Sequence, residues 1–259
     1  MKGISLLEYY AGEGFRMHGK TLPSETRDCF TYTIRQPLGA VGLIAPWNFP
    51  WAIPVWKSAP AIVSGNCVVF KPAELTPATS ILLAEIYEEA GLPPGVFNML
   101  VGSGAEVGEA MVNAPELRAI SFTGSNKIGG ELYVKAAKRG AKVTCEMGGK
   151  NAVIVMPDAD LDKAAAAIHG GAFGSTGQRC TATSRVIAHP DIKNALVDRL
   201  VAAAKKIRMG PGLHESSDMG PSVDDRQWKT VMDYIKVGQG EGARLVTGGT
   251  RPEALSPGF

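Results

Sequence analysis

Val41-Gly-Leu-Ile-Ala-Pro-Trp-Asn-Phe-Pro-Trp-Ala-Ile-Pro-Val-Trp-Lys-Ser-Ala-Pro-Ala-Ile-Val-Ser-Gly-Asn-Cys-Val-Val-Phe70 decides the fold. The first five residues form an apolar run that stops at a Pro/Asn/Pro loop, which predicts a short buried strand at 41–45. A helix is expected at 53–62 and a second strand at 67–70. The same rhythm continues: helix 76–89, closed by Gly91 with Pro93 beyond it, then strand 97–101, helix 105–113, strand 119–122 and helix 127–138. Strands alternating with amphipathic helices predict an α/β fold with a parallel sheet covered on both faces. Before this stretch, 6–15 has helical spacing, and the alternation at 30–34 reads as strand. After Gly149 a second unit is expected, with strands at 152–156, 185–188 and 244–246 and helices at 161–173, 192–207 and 227–238. The pattern is still open at Pro257-Gly-Phe259.

A chain of 259 residues can hold two domains. With 45% hydrophobic and 20% charged residues it reads as an ordinary globular protein. Net charge is +2, and the basic cluster Lys135, Lys138, Arg139 and Lys142 is expected to sit at a helix end, so no nucleic-acid surface is expected. Cys29, Cys67, Cys145 and Cys180 are scattered, and the four histidines have no ligand spacing. Neither a disulfide framework nor a metal site is therefore expected, and the pattern suits a reducing, cytoplasmic setting. No signal peptide is visible, and Pro46, Asn48, Pro50, Pro54 and Lys57 interrupt the apolar stretch 41–62 well before membrane length.

Taken singly, the candidate chemical residues each allow a bland reading. Cys180, in Gly177-Gln-Arg-Cys180, is either a small packed side chain or a thiol presented by a polar loop for nucleophilic attack. Glu146, in Glu146-Met-Gly-Gly-Lys150, is either a surface ion-pair partner or a general base. Asn48, at the carboxyl end of the first sheet strand, either satisfies a turn or aims its amide at a developing oxyanion. Phe122-Thr-Gly-Ser125 ends a strand and opens a helix, a natural phosphate seat, whereas Gly102-Ser-Gly104-Ala-Glu-Val-Gly108 is one residue too long for a GxGxxG turn. Lys57 and Arg185 are assigned to local ion pairing.

In order, Pro46-Trp-Asn-Phe-Pro50, Lys71-Pro-Ala-Glu74, Phe122-Thr-Gly-Ser125, Glu146-Met-Gly-Gly-Lys150 and Gly177-Gln-Arg-Cys180 resemble the aldehyde dehydrogenase superfamily, over nearly the whole chain. One departure is Cys145, where the family usually has an aliphatic residue before the glutamate. The resemblance implies a Cys180 nucleophile, an oxyanion site made by the Asn48 amide and the Cys180 N–H, and Glu146 as the base that hydrolyses a thioester. Because Glu146 is present, it implies a free acid product with NAD(P) as cofactor. Glu74 would accept the ribose hydroxyls and favour NAD over NADP. Other cofactor-lining positions implied are Ile44, Trp47, Lys71, Gly104, Gly108, Phe122, Gly124, Ser125, Ile128, Met147 and Gly148.

By the same resemblance, 1–18 and 38–147 form an NAD-binding domain lacking its first elements. Residues 19–37 form part of an oligomerisation hairpin, and 148–259 a catalytic domain without its end. The chain is thus expected to be a fragment of a homo-oligomeric enzyme acting on a small aldehyde, with no membrane or nucleic-acid partner. The alternatives are an inactive remnant and a non-catalytic NAD-binding homologue. Gly174-Ser-Thr-Gly-Gln-Arg-Cys-Thr-Ala-Thr-Ser-Arg185 looks like bacterial 2-oxoglutarate semialdehyde dehydrogenases, which suggests that Arg179 attracts a substrate carboxylate.

Overall fold

A computed structural model describes residues 2–252 and 255. The chain divides into two compact units, Met1–Met147 and Gly148–Phe259.

In the first unit the opening helix α1 (Lys2–Gly14) packs on α2 (Ala52–Val63), and Gly3 is buried against the Trp51 indole, where a Cβ would have no room. The alternating stretch at 30–34 yields only a two-residue strand. β1 (Thr21–Leu22) and β2 (Thr31–Tyr32) pair antiparallel as a fully exposed ribbon, extended by the Thr33 amide donating to the Lys20 carbonyl at 2.8 Å. β3 (Ala40–Ile44), β4 (Cys67–Lys71), β5 (Phe97–Met99), β6 (Leu117–Gly124) and β7 (Lys142–Met147) form one sheet in the order β5-β4-β3-β6-β7. All four pairings are parallel.

Period-two alternation divides β3 between two cores. Val41 and Leu43 pack with Val68 and Phe70 against Ile53, Ala61 and Ile62 of α2, while Ile44 packs with Ile120, Phe122, Met111 and Leu132 on the other face. α3 (Pro77–Glu89) lies near α2, joined to it through the Ser58 hydroxyl, 2.8 Å from the Tyr87 hydroxyl. The opposite face carries the helical stretch 104–113, a π-helical turn (Gly104–Gly108) running into α4 (Glu109–Asn113), together with α5 (Asn126–Lys138). Asn66 fastens the entry to β3: its Oδ1 accepts from the Leu38 and Gly39 amides, and its Nδ2 donates to the Ala61 carbonyl at the end of α2.

In the second unit β8 (Asn151–Val155) and β9 (Thr183–Ala188) pair in parallel. α6 (Leu161–Phe173) and α7 (Pro190–Lys205) close a small core of Val155, Ala165, Ile168 and Leu196. Asp160 caps α6, accepting from the Asp162 and Lys163 amides, and those bonds hold its carboxyl below the usual carboxylate range. α8 (Asp225–Gly240) follows. The strand expected at 244–246 does not form: Gly242, Gly248 and Gly249 take left-handed backbone on either side, and the short run has no pairing strand among the described residues. Residues 256–259, where the sequence pattern was still open, lie outside the described residues. No helix among the described residues is long and apolar enough to cross a membrane.

Candidate active site

Strand order reverses direction between β3 and β6, because β4 and β5 follow on one side and β7 on the other. A crevice opens outside the carboxyl ends of the strands at such a switch point, and this is where open parallel sheets take ligands. Here it holds a pocket of about 340 Å³ in the first unit. Its floor is Ile44 at the end of β3, Lys71 at the end of β4 and Phe122 on β6; Gly104 and Gly108 line one wall and Ile128 the other. Lys71 is buried, with its Nζ donating to the Pro72 carbonyl at 3.1 Å. Burial pushes its ammonium below the ordinary lysine range, partly offset by the Glu74 carboxylate.

Ser125 caps α5 by accepting from the Ile128 amide at 3.4 Å, so an amide-rich helix N-terminus follows Gly124 at the sheet's carboxyl edge. The Phe122 ring fills the space a Cβ at Gly124 would need, and Met147 Sδ does the same at Gly129. Trp47, Glu74, Gly124, Ser125 and Met147 belong to the same unit without lining the pocket, and Gly148 falls in the second unit.

Asn48 is half-buried in the loop after β3. Glu146 is exposed near the carboxyl end of β7, opposite Thr123 in register, and so shares a sheet face with Ser121 two pairs away. On that face Lys57 of α2 donates to the Ser121 hydroxyl at 2.7 Å. Burial pushes the Lys57 ammonium down to about 8, and the Glu146 charge opposes that shift. Lys57, expected only to pair locally, therefore faces the candidate base.

Cys180 is exposed in the second unit, on a segment that leaves α6 through a tight turn. Ser175 (φ 53°) and Thr176 (φ 58°) are left-handed there, a conformation costing roughly 1–2 kcal/mol for a side-chain-bearing residue. The turn is tied down: the Thr176 hydroxyl donates to the Gly220 carbonyl at 3.0 Å, and Gln178 Oε1 accepts from the Val223 amide at 3.0 Å. The Arg179 guanidinium lies against the end of α6. Its Nη2 donates to the Gly170 and Gly171 carbonyls at 2.8 and 3.0 Å, satisfying acceptors that the end of α6 leaves open. Arg185 donates twice to the Lys150 carbonyl, a backbone bond in place of the expected ion pair. A larger hollow in this unit, about 460 Å³ beside Met209, Met219 and Trp228, is apolar and reaches the Cys180 segment only at Thr176. Among the described residues no cluster of His, Cys, Asp or Glu could hold a metal.

The Aldehyde dehydrogenase family model matches residues 1–259. The chain belongs to the aldehyde dehydrogenase family. Among its curated relatives, the alpha-ketoglutaric semialdehyde dehydrogenase of Bacillus subtilis (strain 168) is 48% identical over 252 residues, covering 97% of this chain and 52% of that protein. The 2,5-dioxopentanoate dehydrogenase of Saccharolobus solfataricus is 46% identical over 250 residues, covering 96% and 52%. The chain thus spans about half the length of the curated relatives it matches. Among solved structures, an NAD+ complex of an aldehyde dehydrogenase from Bacillus cereus matches with a TM-score of 0.95 and 38% identity, over 99% of this chain and 52% of that one. An NADP dependent enzyme of E. coli matches with a TM-score of 0.94 and 36% identity, over 99% and 54%.

In this aldehyde dehydrogenase chain, the sequence motifs mark the floor of the pocket but leave much of its walls unmarked. Ala105, Glu109 and Val112 continue one wall, and Glu131, Leu132 and Lys135 the other. The signal was present as spacing: 105, 108, 109, 112 and 128, 131, 132, 135 are each one helical face. Lys135 stands in the basic last turn of α5, as expected, and reaches across to Glu109 at 2.8 Å, joining the two walls.

Proposed function

We propose that this chain carries the cofactor pocket and the thiol centre of an enzyme that oxidises an aldehyde, of the dicarboxylic semialdehyde class, to the acid with NAD or NADP. The observation carrying this reading is that Ile44, Lys71, Gly104, Gly108, Phe122 and Ile128, picked from separate motifs, line one pocket at the sheet's switch point. An adenine ring suits the groove between the two helical faces. Lys71 and Glu74 suit the ribose hydroxyls, and the N-terminus of α5 suits the phosphates. When bound, the nicotinamide supplies the hydride acceptor.

The chain's own residues do the rest. The Cys180 thiolate attacks the aldehyde carbon and forms a thiohemiacetal. The Asn48 amide and the Cys180 N–H hold its oxyanion, an interaction worth roughly 3 kcal/mol in comparable sites. Oxidation leaves a thioester on Cys180, and Glu146 takes a proton from the water that hydrolyses it, releasing the acid and the thiol. NAD is the preferred cofactor, because the Glu74 carboxylate would repel a 2′-phosphate. The semialdehyde class follows from the two relatives' substrates. Arg179 is not assigned to the substrate carboxylate, since the α6 carbonyls hold its guanidinium. The exposed ribbon of β1 and β2 is assigned to pairing between subunits of a homo-oligomer.

Iodoacetamide labelling, mapped by mass spectrometry with and without NAD, tests the reading. Cys180 is expected to react ahead of Cys29, Cys67 and Cys145, at a rate that NAD changes. Equal labelling of all four, indifferent to NAD, would count against both the nucleophile and the pocket.

A further inference from the structure

Asn151 opens β8 where its pairing with β9 slips: Asn151 faces Thr183, the next residue faces Arg185, and Ser184 has no partner in the ladder. From this bulge the Asn151 carboxamide reaches the segment before β9, donating through Nδ2 to the Cys180 carbonyl at 2.7 Å and to the Ala182 carbonyl at 3.0 Å. Two carbonyl oxygens can be met only by the nitrogen of the amide, so chemistry alone determines which way the group faces. Gly149 leaves the space this requires, for a Cβ there would lie 3.3 Å from Asn151 Oδ1 and 3.5 Å from the Cys180 oxygen.

On the other side of Cys180, the Arg179 carbonyl accepts from the Ala182 amide at 3.1 Å. In a planar trans peptide the carbonyl and the following N–H point in opposite directions. Holding the Arg179 carbonyl therefore aims the Cys180 N–H, and holding the Cys180 carbonyl orients the next peptide plane. With both planes held, neither soft backbone angle of Cys180 is free, and its Cα–Cβ direction is set. The Cys180 N–H itself has no acceptor among the described residues, which leaves it available to a ligand. Asn151 holds one of these planes directly. It acts on the other through Ala182, whose carbonyl it binds and whose amide holds the Arg179 carbonyl.

We propose that Asn151 is a positioning residue for the thiol centre: its carboxamide aims the Cys180 N–H at the oxyanion of the bound intermediate. The proposal rests on the reading of Cys180 as the nucleophile, and its test needs neither cofactor nor hydride transfer. p-Nitrophenyl acetate acylates a thiolate through a tetrahedral oxyanion. The sulfur adds to the carbonyl carbon, the oxyanion collapses, and nitrophenolate leaves with the bonding pair, giving a thioester. Iodoacetamide reacts with the same sulfur by displacing iodide, with no oxyanion at any stage. The ratio of the two rates therefore reports the aim of the N–H separately from access to the thiol.

In Asn151→Ala the acylation rate is expected to fall by about tenfold or more while alkylation stays within about twofold, since small misplacements cost up to roughly 10² in rate. Asn151→Ser keeps one donor and is expected to fall between Ala and wild type; it serves as well if the alanine variant does not fold, as judged by its thermal melt. Equal falls in both rates, or no fall in acylation, overturn the positioning role while leaving Cys180 as the nucleophile. No nitrophenolate burst from the unmodified chain, or a burst that survives Cys180→Ala, overturns the nucleophile and the proposal with it.

Discussion

Lys57 is a cation largely removed from water, with the Ser121 hydroxyl accepting from it and the Glu146 charge on the same face. Its proton leaves the folded chain near pH 8, against an ordinary lysine value of 10.5. Below pH 8 the group is charged in both states, and burial costs the folded state about 3 kcal/mol. Between 8 and 10.5 the unfolded chain binds more protons, so this contribution to stability rises with pH. Lys57→Met is expected to match or exceed the parent in denaturant stability at pH 7 and to lack that rise, read as the difference between the two pH profiles. A parallel pair of profiles would show that Lys57 is not held charged at a cost. The candidate residues divided in a similar way when read from sequence alone. Cys180, Glu146 and Asn48 stood out because each sits in a recognisable motif. Asn151 and Lys57 did not, because their roles depend on partners 29 and 64 residues away.

The elements were the most legible level. β3, β4 and β6 were visible as apolar runs, and α3 and α5 as helical faces with clear ends. Legibility failed where an element needs a neighbour. The run at 244–246 has strand composition, but backbone groups choose a strand only if another strand answers them. Residues 30–34 likewise contribute only two residues to a ribbon. At β3 the element level yields a sharper test. Gly42 points toward the α4 side, where a Cβ would lie 3.1 Å from Leu117 Cδ1 and 3.2 Å from Met111 Cε. Gly42→Val overpacks that contact and is expected to cost about 1–3 kcal/mol in denaturant unfolding. It should also weaken NAD binding, because Ile44 and Val112 on the same side line the pocket. A fully stable variant would mean that α4 can move away from the sheet at no cost.

At the scale of the molecule, the sequence rhythm changed after Gly149, and the chain divides between Met147 and Gly148. Each unit has a core of its own, two clusters about the five-stranded sheet and one between β8, α6 and α7. All the residues lining the proposed cofactor pocket lie in the first. Residues 1–147 expressed alone are therefore expected to melt cooperatively and to bind NAD, seen as quenching of Trp47, Trp51 or Trp56 fluorescence. A piece that folds but leaves its fluorescence unchanged by NAD would remove the pocket from the proposed function. The thiol chemistry is expected to be missing from that piece, since Cys180 lies outside it.

The walls and floor of the pocket all come from a single uninterrupted stretch, residues 44–135. On the proposed function, recombination between related genes would pass cofactor preference on as one cassette. A crossover after Met147 would carry every lining residue across together, while the Cys180 segment, with its own clamp, came from the other parent.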